Sequence, residues 1–174
     1  FYRTTEELPS FTDYSMKGRT YRYMKQDALY PFGYGLSYTN FEIKNVTLNA
    51  AEIEPGKEIR ITLTLSNTGA MKGAETVQVY VKACQEGTPN AQLKALKKIE
   101  VDAGESREVE LILTDKAFAL RNLQGDLVLE KGDYEVYVGT QQPDHRSREL
   151  TGIAPECFSV RAEERTVLEK CILN

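Results

Sequence analysis

From residue 39 onward the chain alternates apolar and polar side chains with a period of two. Ile59, Ile61, Leu63 and Leu65 are interleaved with Arg60, Thr62 and Thr64, and Val77, Val79 and Val81 with Gln78, Tyr80 and Lys82. Val109, Leu111 and Leu113 follow the same rule, as do Tyr134, Val136 and Val138, and a shorter run ends in Phe158 and Val160. Successive side chains of a strand point to opposite faces, so the pattern predicts strands with one face buried and one wet. Turn chemistry falls between them: Glu54-Pro55-Gly56, Asn67-Thr68-Gly69, Asp102-Ala103-Gly104, Gln124-Gly125-Asp126 and Lys131-Gly132-Asp133. Six or seven strands, with no intervening helix long enough for a crossover, predict an antiparallel sandwich over residues 39–161.

Tyr134 opens a late strand just after a glycine turn, where Greek-key sandwiches place a tyrosine whose hydroxyl bonds nearby backbone. Trp is absent, so there is no Cys-Trp-Cys core of the antibody kind. The fold class expected is therefore all-β, an immunoglobulin- or fibronectin III-like antiparallel β-sandwich. Beyond Val160, residues Val167, Leu168, Cys171 and Ile172 share one face at helical spacing. That predicts a short C-terminal helical tail over 162–174, a cap or a linker.

The first 38 residues read differently. Seven of the ten tyrosines and three of the six phenylalanines lie there, separated by polar residues, Pro and Gly without a period. So short a stretch has no room to bury so many rings within itself, and each buried ring covers about 150–250 Å². An irregular arm lying on something else, either the following domain or a missing neighbour, is expected. Its candidate contact residues are Arg19, Tyr21, Tyr23, Tyr30, Phe32, Tyr34 and Tyr38. Within it, Pro31-Phe32-Gly33-Tyr34-Gly35 reads as a tight, ring-clamped turn delivering the chain into the first strand.

Composition narrows the function classes. The chain has 174 residues, 41% hydrophobic and 28% charged, a globular balance with no apolar run long enough for a membrane helix. A net charge of −4 and the lack of any Lys/Arg block argue against a nucleic-acid partner. Cys84, Cys157 and Cys171 are too few and scattered for a disulfide scaffold or a zinc site and read as free thiols in a reducing compartment. The start, Phe1-Tyr2-Arg3-Thr4, has neither an initiator Met nor the pattern of a signal peptide. The expectation is a piece of a longer protein, cytoplasmic unless the parent is secreted. Asn45-Val46-Thr47 fits the glycosylation triplet, which matters only in a secretory setting.

Little in the chain suggests catalysis. His145, the only histidine, falls in a polar loop expected between strands. Glu75, Glu86, Asp115, Asp126 and Asp133 are placed in or beside turns, as solvated carboxylates, and no calcium loop spacing occurs. Gly33-Tyr34-Gly35 precedes a strand rather than a helix, so it is no phosphate cradle. No catalytic, cofactor-binding or metal residue is expected. An autonomous carbohydrate-binding module using Tyr30, Tyr34 and their neighbours is the alternative to an interdomain contact.

Residues Gly18 to Tyr23, then Leu29-Tyr30-Pro31-Phe32-Gly33-Tyr34-Gly35-Leu36-Ser37-Tyr38-Thr39-Asn40-Phe41, closely resemble the lead-in to the fibronectin type III-like domain of glycoside hydrolase family 3. Leu65-Ser66-Asn67-Thr68-Gly69, Gly73 to Val81, Leu96-Lys97-Lys98-Ile99 and Gly132 to Gly139 match further family motifs in order, so that the resemblance covers about 1–160.

The resemblance implies a parent β-glucosidase or β-xylosidase that retains configuration, with a nucleophilic Asp on a (β/α)₈ barrel and an acid/base Glu in an α/β sandwich domain. Neither residue can be carried onto this chain, which implies a non-catalytic accessory domain without cofactors. Residues 1–38 would be the crossing from the α/β sandwich domain. The implied partners are those two catalytic domains and a second copy of the parent, with no nucleic acid and no membrane.

Overall fold

The structure, a computed structural model, describes residues 2–15 and 18–171, apart from the side chain of Tyr21. Its strands are β1 (Phe41–Leu48), β2 (Glu58–Asn67), β3 (Gly73–Ala83), β4 (Gln92–Val101), β5 (Ser106–Thr114), β6 (Leu120–Arg121), β7 (Leu127–Leu129), β8 (Gly132–Gly139), β9 (Glu156–Ala162) and β10 (Thr166–Glu169). Short helices α1 (Thr20–Tyr23), α2 (Asp115–Phe118) and α3 (His145–Thr151) join them.

Two antiparallel sheets, β1-β2-β5 and β4-β3-β8-β9, face each other, and a small third sheet, β10-β7-β6, lies beside them. The β2–β5 register runs unbroken from Glu58 opposite Thr114 to Ser66 opposite Ser106. This turns Ile59, Ile61, Leu63 and Leu65 inward together with Val109, Leu111 and Leu113, all 5% exposed or less. From the other sheet Val77, Val79, Val81, Tyr134, Val136, Val138 and Val160 meet them, so the period-two pattern is the core itself. The Tyr134 hydroxyl donates to the Glu130 carbonyl at 2.7 Å, four residues upstream, which makes it a tyrosine corner. Its ring meets Phe118 of α2 edge-on, with centroids 5.6 Å apart.

Strand β1 carries a bulge: its pairing with β2 slips between Lys44 and Thr47, and Asn45 takes the left-handed φ of 54°. Asn tolerates that region better than most residues because its short side chain bonds locally.

Three expectations are corrected. The C-terminal stretch is not helical over its described residues: Thr166–Glu169 pairs with β7, with Thr166 opposite Leu129 and Val167 opposite Val128, while Ile172 of the expected helical face lies outside the described residues. Leu168 packs on the core, so a strand satisfies the backbone and buries the side chain at once, and Thr166 and Val167 are β-branched. Second, His145 begins a helix rather than lying in a loop. The Asp144 carboxylate accepts from the Ser147 amide at 2.6 Å and caps α3. Gly152, at φ 71°, closes it. Third, Glu75 stands within β3 rather than in or beside a turn as a solvated carboxylate. Glu75 is half-buried, and burial raises its carboxyl above the ordinary range.

Candidate functional site

The alternation along β3 predicts that Gln78 and Tyr80 face water. They do point out of the sandwich, yet they are only 5% and 3% exposed. The reason is the N-terminal arm, which folds back over the outer face of the four-stranded sheet. Gly33, at φ 85°, lies so close that a Cβ there would stand 2.8 Å from the Gln78 amide nitrogen and 3.1 Å from the Gln141 Cα. Only glycine meets both demands, the left-handed backbone and the close approach.

Hydrogen bonds fasten the arm along its length. The Asn90 amide donates to the Arg22 carbonyl at 2.8 Å, the Gln142 amide to the Phe32 carbonyl at 3.2 Å, and the Thr68 amide to the Asn40 carbonyl at 2.8 Å. Arg146 Nε reaches the Leu29 carbonyl at 3.4 Å, and His145 Nδ1 stands 3.3 Å from the Asp27 carboxylate, so α3 holds the arm from one side.

The sealed face has a satisfied polar interior. Tyr80 donates to Gln78 Oε1 at 2.6 Å, and Gln78 Nε2 donates to the Thr140 carbonyl at 2.8 Å. Burial, with the Asp144 carboxylate nearby, pushes the Tyr80 phenol well above its usual range. Gln141, 5% exposed, donates to Thr151 Oγ1 at 2.7 Å. Where the arm enters β1, Thr39 donates to Asn67 Oδ1 at 2.6 Å, and Asn67 Nδ2 donates to the carbonyls of Met71 and Val101. A Cβ on Gly69 would collide with Thr39, so the Asn67-Thr68-Gly69 turn is shaped around this junction.

The candidate contact residues divide. Arg19 is engaged within the arm, pairing with Asp13 at 2.6 Å. Tyr34 is half-buried and stacks on Tyr30, with ring centroids 5.4 Å apart and planes 17° from parallel. Tyr30 and Phe32 remain about 60% exposed, Tyr23 is 42% exposed, and Tyr38 stands free at 97% beside Leu36 at 94%. The side chain of Tyr21 lies outside the described residues. Gln78, Tyr80, Asn67 and Gln141, which organise the docking, were not among the candidates. Two signals pointed to them: a tyrosine at an outward strand position, and the Asn-Thr-Gly turn.

Beneath the arm a cleft of about 200 Å³ is lined by Tyr30, Phe32, Tyr137, Lys82, Asp27 and Asp144 among others. Tyr137 donates to Glu135 at 2.6 Å, and burial together with that carboxylate raises its phenol. Cys84, Cys157 and Cys171 are exposed free thiols. Among the described residues no group of three His, Cys, Asp or Glu side chains is placed to hold a metal ion.

The strand order, a β1-β2-β5 sheet facing β4-β3-β8-β9, and the tyrosine corner define a fibronectin-like module. Residues 75–142 match the family of fibronectin type III-like domains. The chain is 38% identical over 155 residues to a xylan 1,4-beta-xylosidase of Xylanibacter ruminicola, which covers 87% of this chain and 17% of that protein. A beta-glucosidase from Listeria innocua, solved with glucose, superposes with a TM-score of 0.68 at 32% identity, over 85% of this chain and 20% of its own. The GH3 beta-glucosidase of Bifidobacterium adolescentis gives 0.60 at 36% identity, over 75% and 18%.

The chain belongs to the fibronectin type III-like domains of glycoside hydrolase family 3. It spans about a fifth of the length of the relatives it matches.

Proposed function

We propose that this chain is the accessory domain of a larger β-glycosidase, one that hydrolyses terminal β-linked glucose or xylose with retention, and that it buttresses the catalytic domains. The observation that carries the reading is the two-sided arm. Its inner side is fastened to the sandwich through Gly33, Asn90 and Gln142. Its outer side offers Tyr38, Leu36, Phe32 and Tyr30 to a neighbour. Large apolar side chains left together at a surface mark a contact. In this role residues 1–38 cross from an α/β sandwich domain, and docking stabilises the parent by burying apolar surface of both partners. The test is a pair of melting curves. Tyr38→Ser combined with Leu36→Ser is expected to lower the melting temperature of the full-length parent by several degrees and to leave that of this chain unchanged. An unchanged parent overturns the docking role.

The cleft beneath the arm favours a second reading, a carbohydrate-binding module, because rings and planar polar groups converge there at the size of one sugar ring. Calorimetry with gluco- and xylo-oligosaccharides separates the two. Millimolar or tighter binding that Tyr30→Ala abolishes supports the module, and no heat leaves the buttress.

A further inference from the structure

Arg22 and Lys94 are cations that the described part of the chain leaves uncompensated. Lys94 sits on β4 where the pairing with β3 slips: Val79 faces Ala95 and Tyr80 faces Leu93, so Lys94 is the extra residue of a bulge. It is half-buried, and burial with the Arg22 charge beside it holds its ammonium below the ordinary lysine range. Arg22 lies over the Tyr23 ring, 6.0 Å from its centroid. Among the described residues no carboxylate forms an ion pair with either cation.

Next to them Gln92 Nε2 is buried with no acceptor among the described residues. The three donors surround two adjoining hollows that share Pro89, Gln92 and Leu120 as walls. The smaller, bounded by Lys94, measures about 10 Å³ and has room for about one water at most. The wider groove, about 470 Å³, is bounded by Arg22, Tyr23 and Arg121. Arg121 is already occupied by the Gly125 carbonyl at 2.7 Å and by Glu169 at 3.5 Å. Glu86 lines the same groove and makes no ion pair among the described residues.

We propose that the groove receives an aspartate or glutamate side chain from the catalytic portion of the parent, held by Arg22 and the Gln92 amide, with the Lys94 charge behind them in the adjoining hollow. The inference rests on the docking role above and names the polar anchor of that interface. A carboxylate is the group that satisfies two cations and a buried amide N–H at once, and charge-assisted bonds of this kind are the strong ones. The groove is continuous with the arm through Tyr23, one of the exposed rings. Most of the surface able to supply the acid lies outside this chain, which spans about a fifth of its relatives' length.

The experiment compares acetylation of Lys94 by an amine-reactive ester, followed by peptide mass spectrometry, in this chain and in the full-length parent. Labelling about tenfold slower in the parent is expected, since an ammonium behind the docked carboxylate reacts only when the contact opens. Equal rates overturn the inference. Protection of Lys94 in the isolated chain by free glucuronate, with none conferred by the parent, also overturns it, in favour of an acidic-sugar site. Lys94→Met serves as the second readout. It should lower the melting temperature of the parent while leaving that of the isolated chain the same or higher, and an equal fall in both overturns the proposal. Tyr38→Ser keeps the two readings apart. If it destabilises the parent while Lys94 labels equally in both proteins, docking stands and the carboxylate anchor falls.

Discussion

Thr62 on β2 and Tyr80 on β3 both point away from the core, each between two buried aliphatic residues of its own strand. Thr62 stands in water among Thr47, Glu110 and their neighbours, its hydroxyl 2.7 Å from that of Thr47. Tyr80 is sealed, its hydroxyl satisfied by Gln78. The three-stranded sheet thus behaves as a strand pattern says it should, one face dry and one wet, whereas the four-stranded sheet is covered on its outer face at Gln78 and Tyr80, while Lys82, Cys157, Ser159 and Arg161 on that same face stay exposed. Nothing within β3 itself makes the difference. It comes from a segment some forty residues earlier, whose Gly33 fits against Gln78. An outward position is wet only where the chain sends nothing back across it, and the roof here is the same arm that offers its far side to a neighbour.

The sharpest way to break this comparison is to truncate one outward residue on each sheet. Tyr80→Ala should cost about 3–4 kcal/mol and Thr62→Ala at most about 0.5 kcal/mol, read by urea unfolding of this chain. Equal losses would mean the arm does not seal the face.

The contact itself is tested next by glycine. Gly33→Ala meets both a left-handed backbone and the Gln78 and Gln141 atoms, so about 2–3 kcal/mol is expected. Gly56→Ala has a similar φ of 74° with open space around it and should cost about 1 kcal/mol. If the two variants unfold at the same denaturant concentration, only backbone strain is being read and the close approach contributes nothing.

Inside the sandwich, Tyr134→Phe removes the corner bond to Glu130 at a cost of about 1 kcal/mol. Burial raises the Tyr134 phenol from its ordinary 10.0 to about 12. A folded-state value above the unfolded one gives stability that is intact below pH 10 and fades as the pH climbs through 12. The wild type should therefore lose more stability than the Phe variant over that interval, and parallel pH curves would refute the assignment.

Smallest of all is the wet face's own ion pair, Arg60 with Glu110 at 3.5 Å. Arg60→Ala should change stability by under about 0.5 kcal/mol, and less still in high salt. A larger loss would show that the open sheet is also covered by something.

The sandwich was legible because its inward residues repeat over five to seven positions in several runs, as at 59–65 and 109–113, and because Tyr134 follows a glycine turn. The C-terminal strand was not. Val167, Leu168, Cys171 and Ile172 fit a helical stripe as well as a strand, and the decision lies in pairing with β7 about forty residues away. Helix α3 is short, but its signals were present in Asp144 three residues before Ser147 and in Gly152 at the end. The arm's contacts were half legible. Ring density marked Tyr30, Phe32, Tyr34 and Tyr38 as adhesive, yet which strand residues receive the arm depends on a close approach that no local pattern encodes.

The slipped pairing at Asn45 has a consequence for assembly. Among the described residues β1 bonds only to β2, so its other side is a sheet edge, the kind of surface onto which a strand from another molecule can zip. A residue in left-handed backbone at mid-strand breaks the straight row of donors and acceptors such an invader needs, and Lys44 and Glu42 crowd the same stretch with charge. The kink works as a stop against fibre-like growth along this edge, so a strand from a second molecule finds no straight ladder to extend here.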